Sequence, residues 1–171
     1  MKLKYIFQII KNLSLKQGFI FMALFVQQPW FSILTLYATL KTMAMAQQYY
    51  PTSHQLSGRG NAFRHSLWCC MILNYCCKIS SPRKAMLWCQ KFSNRYEELF
   101  FSSCEAKIMD LHNNKVGMLL FEEMLPGIHR QFFESNFFVP ILKQKAEEAV
   151  LFNCQNYPFV CAKTMIFISE N

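Results

Sequence analysis

The sequence predicts a mainly α protein: one helical-bundle-like domain of about five to six helices, ending in a tail that reads equally as a short extended segment or a short helix. Three observations carry this. Apolar residues make up 53% of the 171-residue chain, with only five Gly and six Pro, a composition that excludes collagen-like and disordered chains. Apolar positions recur at i, i+3, i+4 and i+7, the period of a helix lying on a core. Turn chemistry is confined to short clusters between the periodic stretches. The length suits one domain, with residues 1–48 as its N-terminal helices, 49–152 as the core and 153–171 as the tail.

The first helix is expected over Leu3–Leu13, apolar at positions 3, 6, 7, 9, 10 and 13. The run GFIFMALFVQQPWFSILTLYATLK follows, cut in half by Gln27, Gln28 and Pro29. A membrane-spanning helix needs about 20 predominantly apolar residues, and amides or Pro at mid-bilayer need partners from neighbouring helices. The interruption therefore favours two core-facing helices joined at Gln28-Pro29. Peripheral membrane contact through residues 1–40 is the alternative, since the leader is basic and amphipathic. Ala44-Met45-Ala46 lies too far from the N-terminus for a signal-cleavage site, and a cytoplasmic location is the expectation.

Pro29 suits the first turn of a helix over Trp30–Gln48. Thr52–Gly60 is rich in turn formers and reads as loop. Asn61–Lys78 is the next helix, with Asn61 as its N-cap. Pro82–Phe101 and Glu105–Leu125 follow, the latter stopped by Pro126-Gly127, and a last helix is expected over Val139–Phe152. Met165–Ile168 is β-prone, with no partner strand identifiable from sequence.

Eight cysteines raise the question of a disulfide framework. Cys69, Cys70, Cys76 and Cys77 fall on one helix among Trp68, Met71, Ile72 and Leu73, where neighbours cannot pair without distortion. They read as reduced core thiols. No C-x-x-C pair supplies zinc spacing. The net charge of +8 is spread thinly, without the dense basic stripe of a nucleic-acid interface. P-loop, dinucleotide and serine-elbow signatures are absent from the sequence.

Two polar islands interrupt the apolar helices. GRGNAFRHSLWCC, from Gly58 to Cys70, puts Asn61 and His65 at i and i+4 with Arg64 on the flank. KIMDLHNNKVG, from Lys107 to Gly117, crowds Asp110, His112, Asn113 and Asn114 into five positions, although Asn competes for backbone hydrogen bonds and disfavours helix. Asp110 shares a face with Asn113 and Asn114, whereas His112 points about 160° from Asn114. Gly117 would admit close approach of another backbone. Tyr96-Glu97-Glu98, on the helix between, offers carboxylates to orient Arg64 or His65.

NAFRHSLW resembles the NAFRHAxW motif, and MDLHNNKVG the DLHNN motif, of an uncharacterised bacterial domain-of-unknown-function family. The likeness covers about Leu36–Phe121. It implies a small, mostly helical domain, found alone or at the ends of larger toxin-like chains, with Asn61, Arg64, His65 and Trp68 from one motif and Asp110, His112, Asn113 and Asn114 from the other. The family's intervening His-Glu pair aligns with Tyr96-Glu97, and a Tyr cannot serve as a neutral nitrogen ligand near pH 7.

Two functional expectations follow. In the first, the islands form one buried or cleft-lining cluster, structural or ligand-binding, with Arg64 paired to Asp110 or Glu97. In the alternative, His65, Glu97, Asp110 and His112 are catalytic groups of a phosphoester or nuclease-like hydrolase, working as acid and base or holding a divalent metal, while Arg64 and the Asn amides bind an anion.

Overall fold

The computed structural model describes residues 14–100, 103–127, 129–153 and 160–169. The helix expected over Leu3–Leu13 lies outside them. Six helices follow in order: α1 Leu15–Gln27, α2 Pro29–Tyr49, α3 Arg59–Ile79, α4 Pro82–Phe100, α5 Cys104–Met124 and α6 Ser135–Glu147. Two 3-10 turns, Leu125–Gly127 and Arg130–Phe132, link α5 to α6, and two short strands, β1 Val150–Leu151 and β2 Ile166–Phe167, close the chain. The predicted helical class holds.

The helix α3 is the axle. It is buried on all sides, Ala62, Phe63, Leu67 and Ile72 completely so, and packs against α2, α4, α5, α6 and β2. A helix apolar around its whole circumference has to be surrounded. Its cysteines serve that packing: Cys69, Cys70, Cys76 and Cys77 are buried and unpaired, as is Cys89 on α4. Burial pushes the Cys76 thiol up to about 12 and the Cys77 thiol up to about 11.

Against α5 the fit is backbone to backbone. A Cβ at Gly117 would stand 2.1 Å from the Ser66 carbonyl oxygen, so only glycine admits this approach. Ser66 Oγ donates to the Asn113 carbonyl at 2.7 Å, and Cys70 Sγ to that of Gly117 at 3.1 Å. Burying these hydroxyl and thiol groups is tolerable because each is bonded across the seam.

Several boundaries differ from expectation. The N-cap of α3 is Gly58, not Asn61. Asn61 belongs to the first turn and bends its amide back to donate to the Leu56 carbonyl. The last helix starts at Ser135 and stops at Glu147, because Val150 and Leu151 are drawn off into β1. The β-prone tail does have a partner: β1 and β2 pair in parallel, Val150 beside Ile166 and Leu151 beside Phe167. The tail is also tied to the loop before α3, where Ile168 N–H donates to the Ser57 carbonyl at 2.8 Å.

The N-terminal helices join at Gln28-Pro29 as expected, with a bend of 120°. Only part of the core-facing expectation survives. Phe31, Thr35, Ala38, Thr42 and Ala46 form an inward stripe on α2, but among its described side chains α1 buries Leu24 alone and turns much of its apolar surface outward. Among the described residues, no single helix is long and apolar enough to cross a membrane.

Candidate functional site

The two polar islands meet. On α3, the first turn after Gly58 carries Asn61, Arg64 and His65. Glu97 comes from the last turn of α4, and Asp110 and Asn114, one helical turn apart, from α5. His65 lies at the junction, nearly buried, with Glu97 buried beside it. Its Nδ1 is 3.2 Å from Glu97 Oε1 and 3.3 Å from Asn114 Oδ1. Asn114 Nδ2 in turn donates to Glu97 Oε1 at 2.8 Å.

On the other side of the ring, Arg64 donates to His65 Nε2 at 2.8 Å and to Asn61 Oδ1 at 3.2 Å. A guanidinium can only donate, so Nε2 accepts, and the hydrogen-bond network assigns the proton to Nδ1, facing Glu97 and Asn114. The arrangement is a buried carboxylate behind an imidazole, which fixes ring and tautomer. Arg64 therefore bonds Asn61 and His65 rather than the expected carboxylate.

Asp110 Oδ1 stands 3.4 Å from His65 Nε2, but a lone pair faces a lone pair and no hydrogen bond forms. This oxygen is buried without a hydrogen-bond partner among the described residues. Burial foremost, and Glu97 as well, push the Asp110 carboxyl above its ordinary range, against the opposing pull of His65 and Arg64. His65, Glu97 and Asp110 each present one ligand atom within 4.8 Å of the others, a three-donor set that could hold a metal ion.

The cluster opens on a cavity of about 60 Å³ lined by Thr39, Thr42, Met43, Arg64, His65, Trp68 and Tyr96. Such a volume accommodates about four waters or a small polar group. Trp68 is its floor, packed edge-on against Tyr96 with ring centroids 5.0 Å apart and donating from Nε1 to Thr39 Oγ1 at 2.8 Å. Burial raises the Tyr96 phenol above its ordinary value, so it enters the cavity as a neutral hydroxyl. Thr42 Oγ1, also on the wall, is buried with no hydrogen-bond partner among the described residues.

The sequence reading did not single out Thr39 and Thr42. Their signal is Thr35, Thr39 and Thr42 at i, i+4 and i+7 in an otherwise apolar helix, two of them partnering the Trp88 and Trp68 indoles.

Two members of the second island look elsewhere. His112 Nε2 bonds the Thr164 carbonyl at 2.8 Å, so the four-ligand set reduces in space to His65, Glu97 and Asp110. Burial holds the His112 imidazole below its ordinary value, partly offset by that bond. Asn113 leaves the face it was expected to share with Asp110 and grips β2: Nδ2 donates to the Ile166 carbonyl at 2.8 Å, and Oδ1 accepts from Ile166 N–H at 3.0 Å. It reproduces the two-bond pattern of a neighbouring strand.

No curated protein and no solved structure matches the chain. The family model for the domain of unknown function DUF6973 matches residues 22–150, a span that takes in every group around His65, and the chain belongs to that family.

Proposed function

We propose that the His65 cluster is the active site of a hydrolase that cleaves a small anionic ester, a phosphoester above all, by acid-base catalysis. One observation carries this reading: His65, backed at Nδ1 by buried Glu97, lies on the wall of a cavity rather than in a closed seam. Glu97 orients the ring and stabilises the imidazolium as it forms. His65 Nε2 takes a proton from the attacking water. Arg64 moves from Nε2 to the anionic oxygens, where its fork of donors matches phosphate. Asp110, whose protonated form burial favours, returns a proton to the leaving oxygen as the phosphorus–oxygen bond breaks.

A second reading has one specific support, the three ligand atoms of His65, Glu97 and Asp110 within 4.8 Å of one another. A divalent cation there would satisfy the orphaned Asp110 oxygen and act as Lewis acid. A cation there would also face the positive charge of the Arg64 guanidinium, 2.8 Å from His65 Nε2, whereas a substrate anion draws that guanidinium off Nε2, which is why acid-base catalysis is preferred.

The test is hydrolysis of p-nitrophenyl phosphate mono- and diesters by the full-length protein and by His65→Ala, after dialysis against chelator. The expected result is turnover that survives chelation and falls by about 100-fold or more in His65→Ala. Turnover abolished by chelation and restored by a divalent metal selects the metal reading. No turnover of either ester class, together with a folded His65→Ala, overturns both.

A further inference from the structure

The outward surface of α1 and the start of α2 is unusual in two independent ways. Leu15, Phe19, Met22 and Val26 stand at i, i+4, i+7 and i+11, one face of α1, and are 85%, 76%, 61% and 72% exposed; Trp30 extends that surface at 72%. An apolar stripe of this kind on a folded chain marks an interaction surface. The opposite face of α1 is occupied: the Phe21 ring centroid lies 5.9 Å from those of both Phe92 and Phe100, and Gln17 Nε2 donates to the Leu99 carbonyl at 2.9 Å. The helix is thus anchored on one side and, among the described residues, uncovered on the other.

Charge says what covers it. Residues 1–96 contain twelve Lys and Arg and not one Asp or Glu, whereas residues 97–171 contain six and ten. Two exposed cations accompany this surface, one at the end of the stripe and one on the Trp30 face of α2, three turns further along. The Lys91 Nζ donates to Gln27 Oε1 at 2.5 Å, at the end of α1, and Lys41 Nζ lies 5.8 Å over the Tyr37 ring on α2. A second copy is the wrong occupant, because α1 and α2 carry no Asp or Glu, so face-to-face pairing would set the cations of one copy against those of the other with no acid between them. Apolar side chains between cations, with Trp at the margin, are the requirements of a helix lying in the headgroup region of an anionic bilayer.

We infer that the outward face of α1 and the first turns of α2 docks on an anionic lipid surface, lying in the interface rather than crossing it. This docking stands apart from the reading of the His65 cluster. It has a geometric corollary: Phe92 and Phe100, which α1 covers, pack against Trp68 and Tyr96 of the cavity wall, so the docked face and the cavity share one aromatic layer.

The experiment is co-sedimentation of the full-length protein with vesicles of phosphatidylcholine alone or with phosphatidylserine added, with Trp emission recorded. Trp68 and Trp88 are buried, so Trp30 dominates any change. Binding is expected to the mixed vesicles only, to weaken with salt, and to shift Trp emission to the blue, a shift lost in Trp30→Phe. Phe19→Ser with Val26→Ser should weaken binding by about tenfold or more, and Lys41→Gln with Lys91→Gln should flatten the salt dependence. These side chains are exposed, and unchanged melting of the variants checks the fold. Absence of binding, or equal binding to both vesicle types, overturns the inference. So does a dimer in light scattering that Phe19→Ser with Val26→Ser dissociates, which assigns the stripe to a second copy. Trp30 emission already blue-shifted without lipid assigns it to residues 1–13 and overturns it too.

Discussion

Two polar regions radiate from the same stretch of α5, and they differ in how completely they are satisfied. On one side, Asn113 spends its amide on both backbone groups of Ile166, and His112 holds the Thr164 carbonyl. Nothing there borders the cavity. On the other side, Asn114 and Asp110 face His65, and there, among the described residues, Asp110 Oδ1 is left without a hydrogen-bond partner, as is the Thr42 hydroxyl on the wall of the cavity that His65 lines. Folding strongly selects against orphaned buried polar atoms. One such atom on the cavity wall, Thr42 Oγ1, and a second behind the wall, at Asp110 beside His65, are therefore a cost that stability alone does not explain. The Asn113 side is bonded through to β2, whereas the His65 side leaves a buried carboxylate oxygen and a buried hydroxyl without a partner among the described residues.

Substitutions on the two sides should part company in stability. Asn113→Ala removes both partners of Ile166 from a buried place, and each abandoned backbone group costs about 1–3 kcal/mol. The expected loss is about 2–5 kcal/mol by denaturant unfolding, with β2 protection from hydrogen exchange falling first. A loss below about 1 kcal/mol would erase the distinction between the two sides. Asp110→Asn is the counterpart. It replaces a carboxyl whose charged form burial disfavours with a neutral amide of the same shape, and stability should change by no more than about 1 kcal/mol while hydrolysis collapses. A large loss of stability in Asp110→Asn would return the cluster to scaffold.

The finest separation is by pH. His112 has a folded-state affinity for protons below its ordinary 6.5, so the unfolded chain binds more protons and stability is lost as pH falls below about 6.5. Asp110 has the opposite sign. Its carboxyl is raised above 3.8, so the contribution is whole below that value and is lost as pH rises through the folded one. Melting followed from pH 7.5 to 5 should therefore decline, and less steeply in His112→Gln, by at most about 1.4 kcal/mol per pH unit for one group. His54, whose imidazole burial also holds low, supplies part of the remaining slope. A slope unchanged in His112→Gln would detach the tail contact from acid sensitivity.

Much of this was legible in residues. Period and proline placement located the helices to within a few positions wherever an apolar face had to be buried, and Pro29 began α2 where its ring permits. Gly117 was readable as a point of close approach because a glycine within an apolar helix has few other uses. The meeting of NAFRHSLW with MDLHNNKVG followed from their shared oddity. What escaped were pairings with no local signal. The parallel contact of β1 with β2 is two residues long and needs Asn113, fifty-three positions from Ile166, to complete it. Asn61 reads as a cap by residue type, yet Gly58 begins the helix and frees that amide to bond Leu56 and Arg64. The split between Asn113 and Asn114 was equally hidden, since adjacent identical side chains take opposite duties only once the tail has docked.

The thiols inside α3 make the protein its own unfolding reporter. Only a thiolate attacks an alkylating or disulfide reagent, and burial keeps Cys69, Cys70, Cys76, Cys77 and Cys89 away from solvent while Cys104 and Cys161 are exposed. Labelling should therefore proceed in two bursts separated in time. The fast one counts surface sulfurs, and the slow one runs at the frequency with which the axle helix escapes its neighbours, a clock that needs no added probe.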